Sequence, residues 1–284
     1  MQPEAPSPPG GAPAGAVRRS PLRLRAGTAC REPDWIAEEV PVALSFDGEP
    51  FAVMMATPAD IADFALGFAV SEGIVDAADE LRIEAIDATL DGIHVAMSVP
   101  AARHGRIAAR RRGLEGRSGC GLCGAQSIEA VLRPPRPVPR GTGATPQALA
   151  RALDEMQRRQ TLNALTGATH AAAWAAPDGR LLVVREDVGR HNALDKLVGA
   201  LLAAGTDLAA GFCVVSSRAS YEMAMKAAQA GMPMLAAISA PTALAVSLAD
   251  SAGMTLVGFA RGESCVVYTH PWRLAGASVA TSPP

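Results

Sequence analysis

The sequence predicts an α/β protein in two parts, a larger C-terminal domain over residues 145–275 and a smaller N-terminal α+β domain over 29–115. Three observations lead there. From His170 onward, apolar runs of strand length alternate with helical runs, which implies a partly parallel sheet with helices on its faces. Before residue 100, two pairs of runs alternate apolar and polar residues at strand spacing, each pair meeting at Asp-Gly, Asp47-Gly48 and Asp91-Gly92. Between the two parts, residues 116–144 are rich in Gly, Pro and Arg and read as a loop and linker.

In chain order, residues 1–28 are dominated by Pro, Gly, Ala and Ser and read as a disordered tail, because they offer too little apolar surface to offset ordering. Arg18-Arg19 superficially fits a twin-arginine export signal, but Arg23, Arg25, Arg31, Glu32 and Asp34 stand where its apolar stretch would be. The expected compartment is therefore the cytoplasm, with no membrane segment. Val40, Val42, Leu44 and Phe46 face Phe51, Val53 and Met55 in the first hairpin. Thr57-Pro58-Ala59-Asp60 then reads as an N-cap with proline at the first helical position, followed by a helix through Ile61, Phe64, Ala65 and Phe68 that stops near Gly73. Leu81 to Ala88 and Ile93 to Val99 form the second hairpin, and Ser127 to Leu132 a short helix. Thr145-Pro146 opens a helix with Leu149, Ala152, Leu153 and Met156 on one face. Strands follow at His170–Ala175, Leu181–Val184, Phe212–Val215, Met234–Ile238 and Thr255–Phe259, with helices at Ala193–Ala203, Tyr221–Ala230 and Ala243–Ala249. Residues 276–284 are a tail.

Composition narrows the function classes. A chain of 284 residues with 49% hydrophobic residues can bury a substantial core, and a net charge of -2 gives no overall pull toward nucleic acid or a membrane surface. Five cysteines are an odd number without a regular framework, which points to a reducing compartment with thiols kept available.

Two of those thiols stand in Ser118-Gly119-Cys120-Gly121-Leu122-Cys123-Gly124. A CxxC pair serves redox, metal or sulfur chemistry, since a thiolate is the nucleophile or ligand in each. Three glycines in so short a stretch predict a mobile working loop that another molecule can approach closely. A closed structural zinc site needs four ligands and the chain has no second CxxC, so zinc would have to be shared between subunits. No metal ligand set is expected within the chain. Arg103, Arg106, Arg110, Arg111, Arg112 and Arg117 precede the pair, and guanidinium groups nearby favour a thiolate and attract anions. A thioredoxin-type site is disfavoured, because there the pair opens a helix after a strand.

Three strand-to-helix junctions carry the remaining polar residues: Arg185 to Asn192, Ser216 to Ser220, and Ser239 to Thr242. Junctions of this kind lie at the carboxyl ends of strands, where open backbone N–H groups receive phosphate. Arg190, Arg218 and Arg261 add forked donors for a pyrophosphate or carboxylate. His191 sits among Asp187, Arg190 and Asn192, with Glu186, Asp187 and Asp195 as groups to orient it or to neutralise the arginines, whereas His170 beside apolar residues is as readily structural as functional. Zinc-dependent deamination is excluded: no glutamate lies two residues after His170, and the CxxC precedes that histidine and lacks its proline.

The CxxC heptad, the block Arg185 to Lys196, Ser217-Arg218-Ala219-Ser220-Tyr221-Glu222 and Ser239-Ala240-Pro241-Thr242 together resemble the FdhD family, sulfur carriers required for active formate dehydrogenase, over residues 35–275. The resemblance implies a cytidine-deaminase-like three-layer C-terminal domain without the zinc chemistry, and a homodimer. It implies a carrier that accepts persulfide sulfur from a cysteine desulfurase on Cys120, with Cys123 assisting, and passes it to the molybdenum or tungsten bis(molybdopterin guanine dinucleotide) cofactor of formate dehydrogenase. It places the cofactor segment at Phe259, Ala260, Arg261, Gly262, Glu263 and Ser264, to which the junctions above add Arg190, His191, Arg218 and Ser220. The competing reading is an insertion chaperone for the cofactor whose CxxC binds zinc or senses redox state.

Overall fold

The structure is a computed structural model that describes residues 13–114 and 134–274. Cys120, Cys123, Arg117 and the expected helix at 127–132 lie outside the described residues, as do residues 1–12 and 275–284.

The large sheet has six strands: β9 (His170–Ala175), β10 (Leu181–Asp187), β11 (Phe212–Val215), β12 (Met234–Ala237), β13 (Thr255–Arg261) and β14 (Ser264–Val267), in the order β10-β9-β11-β12-β13-β14. The centre β11-β12-β13 is parallel, and β9, β10 and β14 run antiparallel to their neighbours. Its central strands β9, β11, β12 and β13 are buried on both faces, with side chains alternating between two cores. Ala172, Trp174, Cys213, Val215, Leu235 and Leu256 point into one; Ala171, Ala173, Phe212, Val214, Met234 and Val257 point into the other. Helix α3 (Pro146–Arg159) covers the second face through Leu149, Ala152, Leu153 and Met156. Its start is the expected one, with the Thr145 hydroxyl accepting from Ala148 N. The first face is covered by α5 (Arg190–Ala203), α6 (Tyr221–Gln229) and α7 (Ala243–Ala252), which completes the three-layer α/β/α arrangement. A short helix, α4 (Thr161–Thr166), links α3 to β9.

The N-terminal hairpins form one four-stranded sheet. β5 (Val40–Phe46) pairs with β6 (Glu49–Ala56), and β7 (Arg82–Ala88) with β8 (Ile93–Ser98), while β5 and β8 run parallel at the centre. Helix α1 (Ile61–Ser71) lies between this sheet and α5, so one hydrophobic cluster runs unbroken from Phe46 and Phe51 through Phe64 and Phe68 to Leu197 and Leu235. Two glycines allow that approach. A Cβ on Gly67 would sit 1.7 Å from the Asp195 carbonyl oxygen, and one on Gly199 1.9 Å from that of Asp63. Gly67→Ala is therefore expected to force the helices apart and destabilise the chain by about 3 kcal/mol, the upper end for overpacking; urea unfolding measures it. A helix surface free to shift would give no change.

Three expectations need correction. Residues 16–28 are not a tail: β1 (Ala16–Arg19) pairs with β4 (Asp34–Ala37), and β2 (Leu22–Arg25) with β3 (Thr28–Arg31). The composition there is poor in apolar residues, but the ladder is held by backbone pairing and cross-strand charges, with Arg23 3.0 Å from Asp34 and 3.3 Å from Glu32. Thr57 does not cap α1, whose N-cap is Asp60 with φ 53; its hydroxyl instead accepts from Val188 N at 3.1 Å. The arginine run, expected to attract anions, is up to Leu114 a helix, α2 (His104–Leu114). Arg103 pairs with Asp76 and Glu80, Arg106 with Asp76, Arg110 with Glu72, and Arg111 reaches Glu49 at 3.7 Å. These four guanidinium groups are matched by carboxylates of the N-terminal domain.

Candidate functional site at the carboxyl edge of the large sheet

The strand register decides which loops meet. Asp187 at the end of β10 is opposite His170 at the start of β9, Val215 at the end of β11 lies between Ala172 and Ala237, and Ala236 faces Val257. All three expected junctions and the β13–β14 hairpin therefore open on one edge. Backbone links lock them together: Ser216 N to Ala171 O at 3.0 Å, Thr242 N to Ala219 O at 3.0 Å, and Phe259 N to Ser239 O at 3.2 Å. The Ser220 and Thr242 hydroxyls cap α6 and α7, accepting from Met223 N and Ala245 N. Ser220 is thus a cap at this edge, and a contact with a ligand would come in addition.

The block Arg185 to Lys196 divides into residues that build the edge and residues left to act on it. Arg185 belongs to β10 and pairs with Asp63 at 2.7 Å. Glu186 caps α4, accepting from Leu162 N and Asn163 N. Asp187, fully buried, accepts from Thr57 N, Gly189 N and Asn192 Nδ2 and pairs with the equally buried Lys196 at 2.7 Å. Asn192 also donates to Met55 O, and Asp195 pairs with Lys226 at 2.8 Å. None of the three carboxylates expected to orient His191 does so. Only Arg190 and His191 remain, in the first turn of α5, which begins at Arg190 rather than at Ala193. Arg190 Nε and His191 Nε2 are buried and have no hydrogen-bond partner among the described residues.

His191 Nε2 does lie 3.0 Å from a carboxylate oxygen of Glu222, a contact off the hydrogen-bonding direction. Glu222 was not anticipated as a site residue. Its signal in the sequence is its place just after the Ser220 cap, in the first turn of a helix that starts at the same edge as α5. His170 stands near the pair. Burial, and then the positive charges of Arg190 and His191, lower its proton affinity below that of an ordinary histidine, against the opposing charge of Asp187.

The Phe259 to Ser264 segment forms the tip of the β13–β14 hairpin, with a register shift between Gly258 and Arg261. Phe259 has φ 52 and is 46% exposed, an unusual backbone for a bulky residue and a costly direction for its ring. Arg218, Arg261, Gly262, Glu263 and Ser264 are exposed. Ala260 is 1% exposed and packs in the core under α3, so its side chain faces away from any ligand at the edge.

A search of protein families matches residues 37–275 to the FdhD/NarQ family. The chain belongs to the FdhD/NarQ family. Among its curated relatives, the protein of Xanthomonas campestris pv. campestris strain B100 named "Sulfur carrier protein FdhD" is 58% identical over 260 residues, covering 92% of each chain. A Variovorax paradoxus strain S110 relative of the same name is 51% identical over 263 residues, covering 92% of this chain and 95% of its own. The crystal structure of a candidate formate dehydrogenase accessory protein from Desulfotalea psychrophila has the same fold, with a TM-score of 0.74 at 23% identity over 92% of this chain and 99% of that one. The FdhD/NarQ match includes the sheet edge and the hairpin tip, as well as the arginine helix.

Proposed function

We propose that this FdhD/NarQ chain is a sulfur carrier of sulfurtransferase type. It accepts persulfide sulfur from a cysteine desulfurase on Cys120, with Cys123 assisting, and hands it to the molybdenum or tungsten bis(molybdopterin guanine dinucleotide) cofactor destined for formate dehydrogenase. The cofactor is cargo. The names of the relatives support the carrier role, and the observation that supports a cofactor at this edge is the pair of buried nitrogens, Arg190 Nε and His191 Nε2, left without a hydrogen bond among the described residues. Both lie at a helix N-terminus, where backbone N–H groups favour phosphate. Arg218, Arg261 and the exposed, strained Phe259 flank it. In this reading Arg190 and Arg218 bind phosphate oxygens, and the Phe259 to Ser264 tip holds the guanine end. The protein works in the cytoplasm as a homodimer, and no helix among the described residues is long and apolar enough to cross a membrane.

GDP serves as the probe for this site. Titration calorimetry is expected to detect its binding, and Arg190→Ala and Arg218→Ala are each expected to weaken it about tenfold, or 1.4 kcal/mol. Absence of GDP binding, or binding untouched by both substitutions, would move the cofactor elsewhere.

A further inference from the structure

The N-terminal ribbon is an arm that reaches away from the body of the protein. β1 and β2 lead out, β3 and β4 lead back, and the turn between them is Ala26-Gly27, whose φ values of 46 and 83 suit a two-residue hairpin. From Val17 to Ala37 no residue is buried, and β2 and β3 pair with each other alone. A two-stranded hairpin of this kind is marginal in water unless something packs on it. One face lacks that cover. Leu22 and Leu24 are 56% and 72% exposed, and their cross-strand neighbours on the same face are Arg31 and Ala29.

The charges of the arm are unmatched as well. Arg23 lies within ion-pair distance of Glu32 and Asp34, and Arg25 of Glu32. Arg18, Arg19 and Arg31 are exposed, and among the described residues no carboxylate pairs with them: Arg31 donates to Ser20 O, and Arg19 to Arg18 O. The arm thus presents an apolar strip with free cations around it, in a chain whose net charge is -2. Charge complementarity sets the chemistry of what fits there, an acidic surface with an apolar centre.

The root of the arm lies beside the candidate site. Gly15 sits so close to Thr57 that a Cβ on it would come within 2.4 Å of the threonine methyl carbon. Thr57 in turn donates its N–H to Asp187, accepts from Val188 N through its hydroxyl and accepts from Lys196 Nζ through its carbonyl. The arm therefore leaves the body next to the turn that launches α5 and places Arg190 and His191 at the sheet edge. A protein that receives the cofactor from that edge comes up against the root of the arm.

We propose that the β1–β4 arm is a docking surface for the enzyme that receives the cofactor, formate dehydrogenase, at an acidic surface of that enzyme with an apolar centre. The inference rests on the proposed function, since the partner follows from the cargo. Leu22 and Leu24 fill the centre of the contact, and Arg18, Arg19 and Arg31 form its charged rim.

The test is binding of the full chain to formate dehydrogenase purified from a strain that lacks this protein, followed by biolayer interferometry. Leu24→Asp and Arg31→Glu are each expected to weaken binding about tenfold, and the wild-type affinity to fall as salt rises from about 50 to 300 mM. GDP binding and urea unfolding are expected to be unchanged in both variants, because the arm touches neither the edge side chains nor the core. A wild type that takes up sulfur and binds GDP, but binds the dehydrogenase no better than the variants do, overturns this inference alone. Variants that turn a dimer into a monomer in light scattering, with dehydrogenase binding intact, assign the arm to the contact between two copies and overturn it too. A wild type that neither takes up sulfur nor binds GDP overturns the proposed function, and this inference with it.

Discussion

Formate dehydrogenase activity is expected to fall to background in a strain whose only copy of this protein carries Cys120→Ala, with the protein folded and present at wild-type level. The expectation comes from the other cysteines as much as from the CxxC pair, since a sulfur carrier must offer a thiolate. Cys213 is wholly buried in β11, and burial pushes its thiol far above the ordinary range. Cys265 is likewise pushed up by burial. Cys30 donates to the Glu32 carboxylate at 3.1 Å, and that hydrogen bond raises its pKa, with burial and the Glu32 charge adding to it. None of the three replaces a lost Cys120. Cys123→Ala is expected to be less severe where sulfur passes directly to the acceptor, and equally severe where Cys123 must resolve the persulfide as a disulfide. Activity near the wild-type level in the Cys120→Ala strain would remove that residue from the mechanism.

Asp187→Ala is expected to cost about 3–5 kcal/mol of stability and to abolish GDP binding with it. Lys196 would remain buried with its partner gone, and three donors, Thr57 N, Gly189 N and Asn192 Nδ2, would lose their acceptor together. Those donors fix the turn that launches α5, so Arg190 and His191 would lose their placement. Asp187→Asn keeps an acceptor oxygen and is expected to be milder, although it leaves Lys196 without a counter-charge. Urea unfolding of both variants, beside calorimetry, checks the ordering. Equal stability of Asp187→Ala and wild type would show that the turn is held by something else.

The three-layer core was legible in the sequence because its strands are short apolar runs bounded by turn residues, as in Phe212 to Val215 and Met234 to Ala237, and these are buried on both faces. The N-terminal ribbon was not. Leu22-Arg23-Leu24-Arg25 alternates at strand period, but its leucines are exposed, so the usual signal of a buried face is missing. β14 escaped notice because Ser264 to Val267 follows directly on the hairpin tip, which reads as a loop. At the site, the sequence placed Arg190 and His191 in a strand-to-helix junction, and the structure has them at this edge, but the sequence could not separate them from Glu186, Asp187 and Asp195. Only packing shows that those carboxylates are spent on α4, Lys196 and Lys226. Glu222 was missed for the opposite reason: it meets His191 across two helices, and no local spacing encodes that meeting.

The central claim is that this chain carries sulfur on Cys120, and mass spectrometry tests it most directly. Reduced protein is incubated with a cysteine desulfurase and cysteine, beside Cys120→Ala and Cys123→Ala, and examined intact and as peptides. The expected result is the mass of a single added sulfur atom on the peptide holding Cys120, absent from Cys120→Ala. No added sulfur, with a metal ion retained by the CxxC pair instead, would contradict the carrier role and favour an insertion chaperone.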